Sequence, residues 1–303
     1  MDEQAPKVSI GLPVYNGEKY IENALSHLCE QDFADFELII SDNASTDRTQ
    51  EICLEFARKD RRIRYFRNEK NTGLAANHNR TFELSRGQYF KWAAHDDDFP
   101  RAMLKCFVQV LDDSPSVCLV YSYCEYIDED GRFEGIDSDG IAKDDPRPHK
   151  RLAHLLRYVH MYNSSYGLIR SEVLRRTRLL GLFPGADNVL LAELAMLGML
   201  AEVPEPLLRI RKHPGRSFTV NKTLKQLREV FNPGQGNKFS PLGLWGRIHL
   251  ELVRSALLMP LEPHDRVLCF AVALMVPQYW TFRGFLGKQK RRILLKLSLK
   301  GPN

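Results

Sequence analysis

Between Val8 and Ala94 four short apolar runs alternate with three amphipathic segments. That rhythm constrains the fold more than any other feature. Val8 to Val14 reads as a buried strand ending at Pro13-Val14-Tyr15-Asn16-Gly17, and Tyr20, Ile21, Ala24, Leu25 and Leu28 follow at helical spacing. Phe36 to Ile40 is a second apolar strand, closed by Ser41-Asp42-Asn43. Asp47 is placed to cap the next helix, with Gln50 three residues on and Ile52, Leu54, Phe56 and Ala57 on its buried side. Strand Ile63 to Phe66, helix Leu74 to Ser85 stopped by Gly87, and strand Tyr89 to Ala94 complete the series. Strands separated by single helices predict a parallel, doubly wound α/β sheet with right-handed crossovers.

In such sheets ligands bind at the carboxyl ends of the strands. Four polar clusters stand there: Pro13-Tyr15-Asn16, Asp42-Asn43, Asn68 to Gly73, and His95 to Asp98 within WAAHDDDFP. Three adjacent carboxylates repel one another, so their presence at a ligand edge points to a bound cation. Carboxylates without nearby cysteine are hard oxygen ligands suited to Mg2+ or Mn2+, which share their coordination with substrate phosphates. Neither a GxxxxGK[ST] loop nor a GxGxxG turn follows the first strand. A metal-diphosphate site is the expectation that remains.

Past Pro100 a helix to about Asp113 and a strand Val117 to Tyr123 are expected, with Asp128-Glu129-Asp130-Gly131 as a hairpin tip. Residues 134–150 read as a mobile loop beside the cleft. Helices are expected over 150–160, 171–179 and 187–198, then PEPLLRIRKHPGRS as a strand running into a basic turn. Tyr162 to Tyr166 could touch sugar or acceptor, and could equally form an ordinary turn. From Ser240 onward the pattern is helical and basic-amphipathic.

A net charge of +5 is too mild to imply nucleic acid. The segment Gly284 to Asn303 nevertheless carries six Lys or Arg and no acid. It is a candidate for peripheral contact with anionic lipid or for a subunit interface, a homo-oligomer included, with packing of the C-terminal helices against the rest of the chain as an equal alternative. The six cysteines form no CxxC pair, the N-terminus lacks the zones of a secretory signal, and the longest apolar run, Val267 to Trp280, is interrupted by Pro277. A cytoplasmic protein, associated at most with the inner membrane face, is the expectation.

Five segments in order, LPVYNGEKYIENAL, IISDNASTDRT, NEKNTGLAANHNR, RGQYFKWAAHDDD and VPEPLLRIRKHPGRS, resemble the family 2 glycosyltransferases over roughly residues 7 to 217. The resemblance implies a GT-A fold: a Rossmann-like, mostly parallel sheet flanked by helices. It would occupy residues 1–220, with a nucleotide-sugar half to about 130 and an acceptor half from 131, and residues 221–303 would form a helical extension. It also implies a nucleotide-sugar donor, Mn2+ or Mg2+, a glycan, lipid-linked or small-molecule acceptor, and inversion at the anomeric carbon. A nucleotidyltransferase and a non-catalytic nucleotide-sugar binding module are the alternatives.

Carried over by position, Pro13 and Tyr15 would lie against base and ribose, Asp42 would hydrogen-bond the base, and Asn71 would approach the nucleotide. The family's DxD element falls on Ala94-His95-Asp96, with alanine at its first acid. Asp96 and Asp97 are then the expected metal and ribose-diphosphate ligands, with Asp98 as third choice and His213 as a further metal ligand. His78 stands where the family often has an arginine facing the diphosphate. Arg211 and Ser217 belong to the turn that would close over it, alongside Arg209 and Arg216. FPGADNVLLAEL resembles the acidic segment that opens the acceptor-side helix, which makes Asp187 the expected general base and Glu193 a runner-up.

Overall fold

The computed structural model describes residues 5–215, 223–234 and 243–275. Strands β1 (Val8–Val14), β2 (Phe36–Asp42) and β4 (Tyr89–Trp92) are buried along their whole length, while β3 (Ile63–Arg67) is buried at its start and opens toward its end. Continuous burial is what parallel strands covered on both faces require. The sheet is completed by β5 (Val117–Ile127), β6 (Phe133–Asp137), β7 (Leu168–Arg170) and β8 (Met199–Arg211). Its order is β3-β2-β1-β4-β7-β5-β6, with β8 on the other side of β5. Pairs β1–β2, β2–β3, β1–β4 and β5–β8 are parallel; β4–β7, β5–β7 and β5–β6 are antiparallel.

The chain leaves β1 toward β2 and returns on its other side as β4. The carboxyl ends of β1 and β4 therefore flank a topological switch point, where such sheets open a crevice. Helices α1 (Ile21–Cys29), α2 (Thr49–Lys59) and α4 (Met103–Asp113) cover one face; α3 (Leu74–Glu83), α5 (Pro148–Tyr158) and α7 (Ala186–Leu197) help fill the other core. In α4 the apolar spacing Leu104, Phe107, Val108, Leu111 turns one stripe onto the sheet. Gly11 admits α3: any Cβ there would strike Thr81 and Phe90.

Several expectations change. The helix expected over 171–179 is the single turn α6 (Ser171–Leu174). The chain then leaves through turns and passes Leu179 in a left-handed conformation at φ 56, which a continuing helix would not allow. Segment 134–150, expected to be mobile, is anchored: β6 takes its first residues, Ile141 is buried, and the Asp139 carboxylate is enclosed. Arg48, not Asp47, precedes the first turn of α2, although Asp47 still accepts from the Thr49 backbone at 3.0 Å.

The C-terminal helices α8 (Leu224–Phe231), α9 (Gly243–Leu258) and α10 (Pro263–Leu274) pack onto the same core. Phe231, Ile248, Leu252 and Ala256 share one apolar cluster with α7, as do Cys269 and Val272 with α5. A buried ion network fixes the join. Arg178 donates to Glu193 on α7 at 2.7 Å and to Glu251 on α9 at 2.6 Å, and Ser255 also donates to Glu193. Among the described residues no helix is long and apolar enough to cross a membrane.

Candidate active site

The crevice floor is a set of turns tied to one another by side-chain amides and hydroxyls. After β1, Tyr15 is exposed and Asn16 adopts φ 52. The Asn16 backbone donates to Ser45 at 2.9 Å, its amide oxygen accepts from Thr46, and Gly17 donates to Thr49 at 2.8 Å. Pro13 is buried beneath them. The β2 and β3 turns are joined through Asn43, whose amide oxygen accepts from Asn68 at 2.8 Å and from the Thr72 backbone at 2.9 Å. The Asn43 amide nitrogen donates to Asn71, whose oxygen also takes the Gly73 backbone. Asn77 of α3 closes the net on Ser41 and Asn68. Asn43 and Asn68 belong to the strand-end clusters read from the sequence; Asn77, inside α3, was not singled out, because nothing local marks a helix residue as a partner of two strand ends.

Asp42, expected on the base, is sealed within this net. One carboxylate oxygen takes the Ser45 backbone at 2.8 Å, and the other takes the Tyr65 hydroxyl at 2.7 Å. Burial together with Asp42's charge holds the Tyr65 phenol well above its usual range. In this conformation Asp42 braces the floor from below, and Tyr15 is the open aromatic surface at the rim. His78 lies on α3 with Nδ1 2.8 Å from the Leu74 carbonyl, and its own carbonyl accepts from the Trp92 indole at 2.9 Å. Burial pushes its imidazole down to about 4, so it is neutral at physiological pH.

The acidic triplet splits into three roles. Asp96 faces His213, with Oδ2 2.9 Å from Nε2 and the imidazole packed on the Tyr20 ring at 4.6 Å. Asp97 turns inward and accepts from the Arg211 backbone at 3.1 Å. Beneath it Lys91 is enclosed, its ammonium on the Trp92 carbonyl at 2.8 Å, and burial lowers its pKa to about 7. Asp98 is bonded by Asn23 at 2.6 Å and by the Arg211 guanidinium at 2.7 Å.

Two expectations are corrected here. The three-residue metal set does not assemble, because Asp97 is drawn under β8 and only Asp96 and His213 meet. Arg211, expected on the diphosphate, is instead a buried rivet that also donates to the carbonyls of Asp128 and Glu129 at 3.3 and 3.1 Å. Among the described residues no three His, Cys, Asp or Glu side chains gather as a metal cage. Ser217 and Arg216 lie outside the described residues.

Asp187 occupies the first turn of α7, after Gly185 in a left-handed conformation at φ 81. Any side chain at 185 would collide with Ile248 of α9. The Asp187 carboxylate accepts from the Asn188 backbone at 3.0 Å. Burial nevertheless raises its pKa to about 6, with the nearby Asp139 charge acting in the same direction. A carboxyl poised there is suited to taking a proton near neutral pH. Glu193, the runner-up, is fully buried and spent on Arg178.

The segment after β6 contains a residue the sequence did not disclose. Asp139 accepts from the backbones of Met161, Tyr162 and Ser164 at 2.9, 3.0 and 2.9 Å, and from the Ser164 hydroxyl at 2.8 Å. Those bonds wrap the turn Tyr162 to Tyr166 around one carboxylate and hold Tyr162 at φ 60. Asn79 of α3 exchanges two hydrogen bonds with Leu180, joining α3 to the loop that delivers Asp187.

The same architecture occurs in solved glycosyltransferases. Residues 1–349 of S. aureus TarS, also solved with UDP-GlcNAc, superpose with a TM-score of 0.64 at 19% identity, over 89% of this chain and 71% of that one. The mannosyltransferase PcManGT from Pyrobaculum calidifontis, in complex with GDP-Man and Mn2+, gives 0.52 at 18% identity over 98% and 88%. The fold is thus that of the GT-A glycosyltransferases.

Residues 9–177 match the family model "Glycosyl transferase family 2", and the chain belongs to that family. An uncharacterized glycosyltransferase of Haemophilus influenzae is 26% identical over 236 residues, 75% of this chain and 73% of its own. GlyG of Streptococcus pneumoniae is 29% identical over 126 residues, and there the match spans 42% of either chain.

Proposed function

We propose that the enzyme transfers a sugar from a nucleotide-sugar donor to a hydroxyl of a carbohydrate or lipid-linked acceptor, with inversion at the anomeric carbon. The observation that carries this reading is Asp187: a half-buried carboxyl whose desolvation raises its pKa to about 6, at the mouth of α7 beside an ordered turn, Tyr162 to Tyr166. Asp187 removes the acceptor proton as that oxygen attacks C1. The C1–O bond to the diphosphate breaks on the opposite face, and the nucleoside diphosphate leaves with the bonding pair. A single displacement of this kind inverts the centre.

The donor's nucleotide belongs in the crevice at the switch point, with Tyr15 at its rim and the Asn43–Asn71 net as its floor. The complexes of the fold relatives with UDP-GlcNAc and GDP-Man support this donor class. Asp96 and His213 offer one carboxylate oxygen and one imidazole nitrogen side by side, a donor set that fits Mn2+, the ion present in the PcManGT complex. With two protein ligands, the rest of the coordination would come from diphosphate oxygens and water. Such an ion, when bound, would offset charge on the leaving diphosphate. His78, neutral where the family often has arginine, contributes no charge there.

The reading is tested by incubating the full chain with UDP-, GDP-, dTDP- and CMP-sugars and Mn2+ or Mg2+, then measuring nucleotide release. Release with one donor class, lost in Asp187→Asn, is expected. No release with any donor, and no thermal shift with any nucleoside diphosphate, overturns it. The second outcome would leave the non-catalytic module without support as well.

A further inference from the structure

The C-terminal helices bury one side and present an apolar surface on the other. α10 sets Cys269, Val272 and Ala273 into the core. On its outer side Val267, Leu268, Leu274 and Met275 are exposed, Val267 by 66%. Ala271 is exposed as well, so positions 267, 271 and 274 form one stripe along the helix. No charged residue occurs between Val267 and Met275. α9 adds exposed Leu257 and Leu258 just ahead of the turn into α10, and exposed Trp245 near its start. Ile248 of the same helix lies against Gly185, two residues before Asp187. An exposed apolar face of this extent marks an interaction surface.

Charge selects the occupant. Beyond α10, residues 276–303 carry seven Lys or Arg and no Asp or Glu, together with Tyr279, Trp280, Phe282 and Phe285. An apolar stripe followed in the chain by aromatics and then by cations matches the layers of an anionic bilayer surface: hydrocarbon, headgroup and phosphate. The segment carries no acidic residue with which a second copy of it could pair. The run Val267 to Trp280 is too short, and too interrupted by Pro277, to span a bilayer of about 30 Å. We propose that the outer face of α10, with the basic segment after it, seats this enzyme on the surface of an anionic lipid membrane. α9 then links the seated face to the loop that carries the proposed base.

The test is co-sedimentation of the full chain with neutral phosphatidylcholine vesicles and with vesicles that also contain phosphatidylglycerol. The protein should pellet with the anionic vesicles and be released by salt. Val267→Glu/Leu274→Glu, at exposed positions where melting temperature should be unchanged, should cut the bound fraction about tenfold. Lys288→Gln/Lys290→Gln/Arg291→Gln/Arg292→Gln should abolish the preference for anionic lipid. The proposal is overturned if wild type stays in the supernatant with both vesicle types, or if the double variant binds as well as wild type. A dimer that the double substitution dissolves, with no vesicle binding, also overturns it. Nucleotide release onto a soluble acceptor is independent of this face, so failure here and failure of the transferase reading are separable.

Discussion

Replacing Asp187 with asparagine should remove activity and stabilise the protein in the same pH range. In the folded chain burial raises the carboxyl from 3.8 to about 6. Two units correspond to about 3 kcal/mol, an upper value that residual solvent access and local relaxation reduce to roughly 1–2 kcal/mol. The sign follows from linkage. Below the unfolded pKa the group is protonated in both states and costs nothing. Between pH 4 and 6 the unfolded chain ionises first, so wild-type stability falls as pH rises, and above about 6 the loss is complete. Asparagine keeps the same shape and the bond from the Asn188 backbone, and carries no charge to desolvate. At pH 7.5 the variant should melt roughly 2–3 °C above wild type, with the gap closing toward pH 4. Differential scanning fluorimetry across pH 4–8 reads the gap. Turnover should fall by about 10²–10⁴-fold, and the wild-type rate should rise with pH through an apparent pKa near 6. A variant that melts lower than wild type, or by a pH-independent margin, would refute the burial argument. Retained turnover would refute the role of Asp187.

Three further outcomes are expected. His213→Ala, which strips Asp96 of its 2.9 Å partner, should raise the Mn2+ concentration for half-maximal rate about tenfold or more, read by metal titration. Asp139→Asn should lower stability by about 2–3 kcal/mol in denaturant melts, because an amide NH2 would face the backbone N–H groups the carboxylate now satisfies. Loss of that negative charge should also move the rate profile's lower pKa downward, which a purely structural defect would not do. Arg178→Ala leaves Glu193 buried without a cation, while Glu251 keeps Arg247 at 2.7 Å, and should cost about 3 kcal/mol in thermal and chemical unfolding, with Glu193→Gln in the same background restoring part of it.

The first four strands and their crossovers were legible because their signals are local. Each parallel strand is a continuous apolar run, each crossover is one helix, and strands β1 and β2 begin at the residues expected for them. The polar strand ends at Asn16, Asp42 and Asn71 do come together, since topology alone places them on one edge. Distant partners were not legible. Asp97 and Asp98 face Arg211, which arrives more than a hundred residues later on β8, and that pairing turns two candidate ligands into structural anchors. Asp139 reads as one acid among several in a Gly- and Asp-rich stretch, and only the return of residues 161–164 to its side gives it four donors. Glu193 was weighed for chemistry because nothing nearby in sequence supplies Arg178 as its partner.

The most direct test of the central claim is the stereochemistry of the product. With an α-linked nucleotide-sugar donor and Mn2+, proton NMR of the early product should show the β-anomer, formed at a rate that depends on Asp187. An α-linked product, or β-product formed equally fast by Asp187→Asn, would contradict a single displacement assisted by this carboxylate.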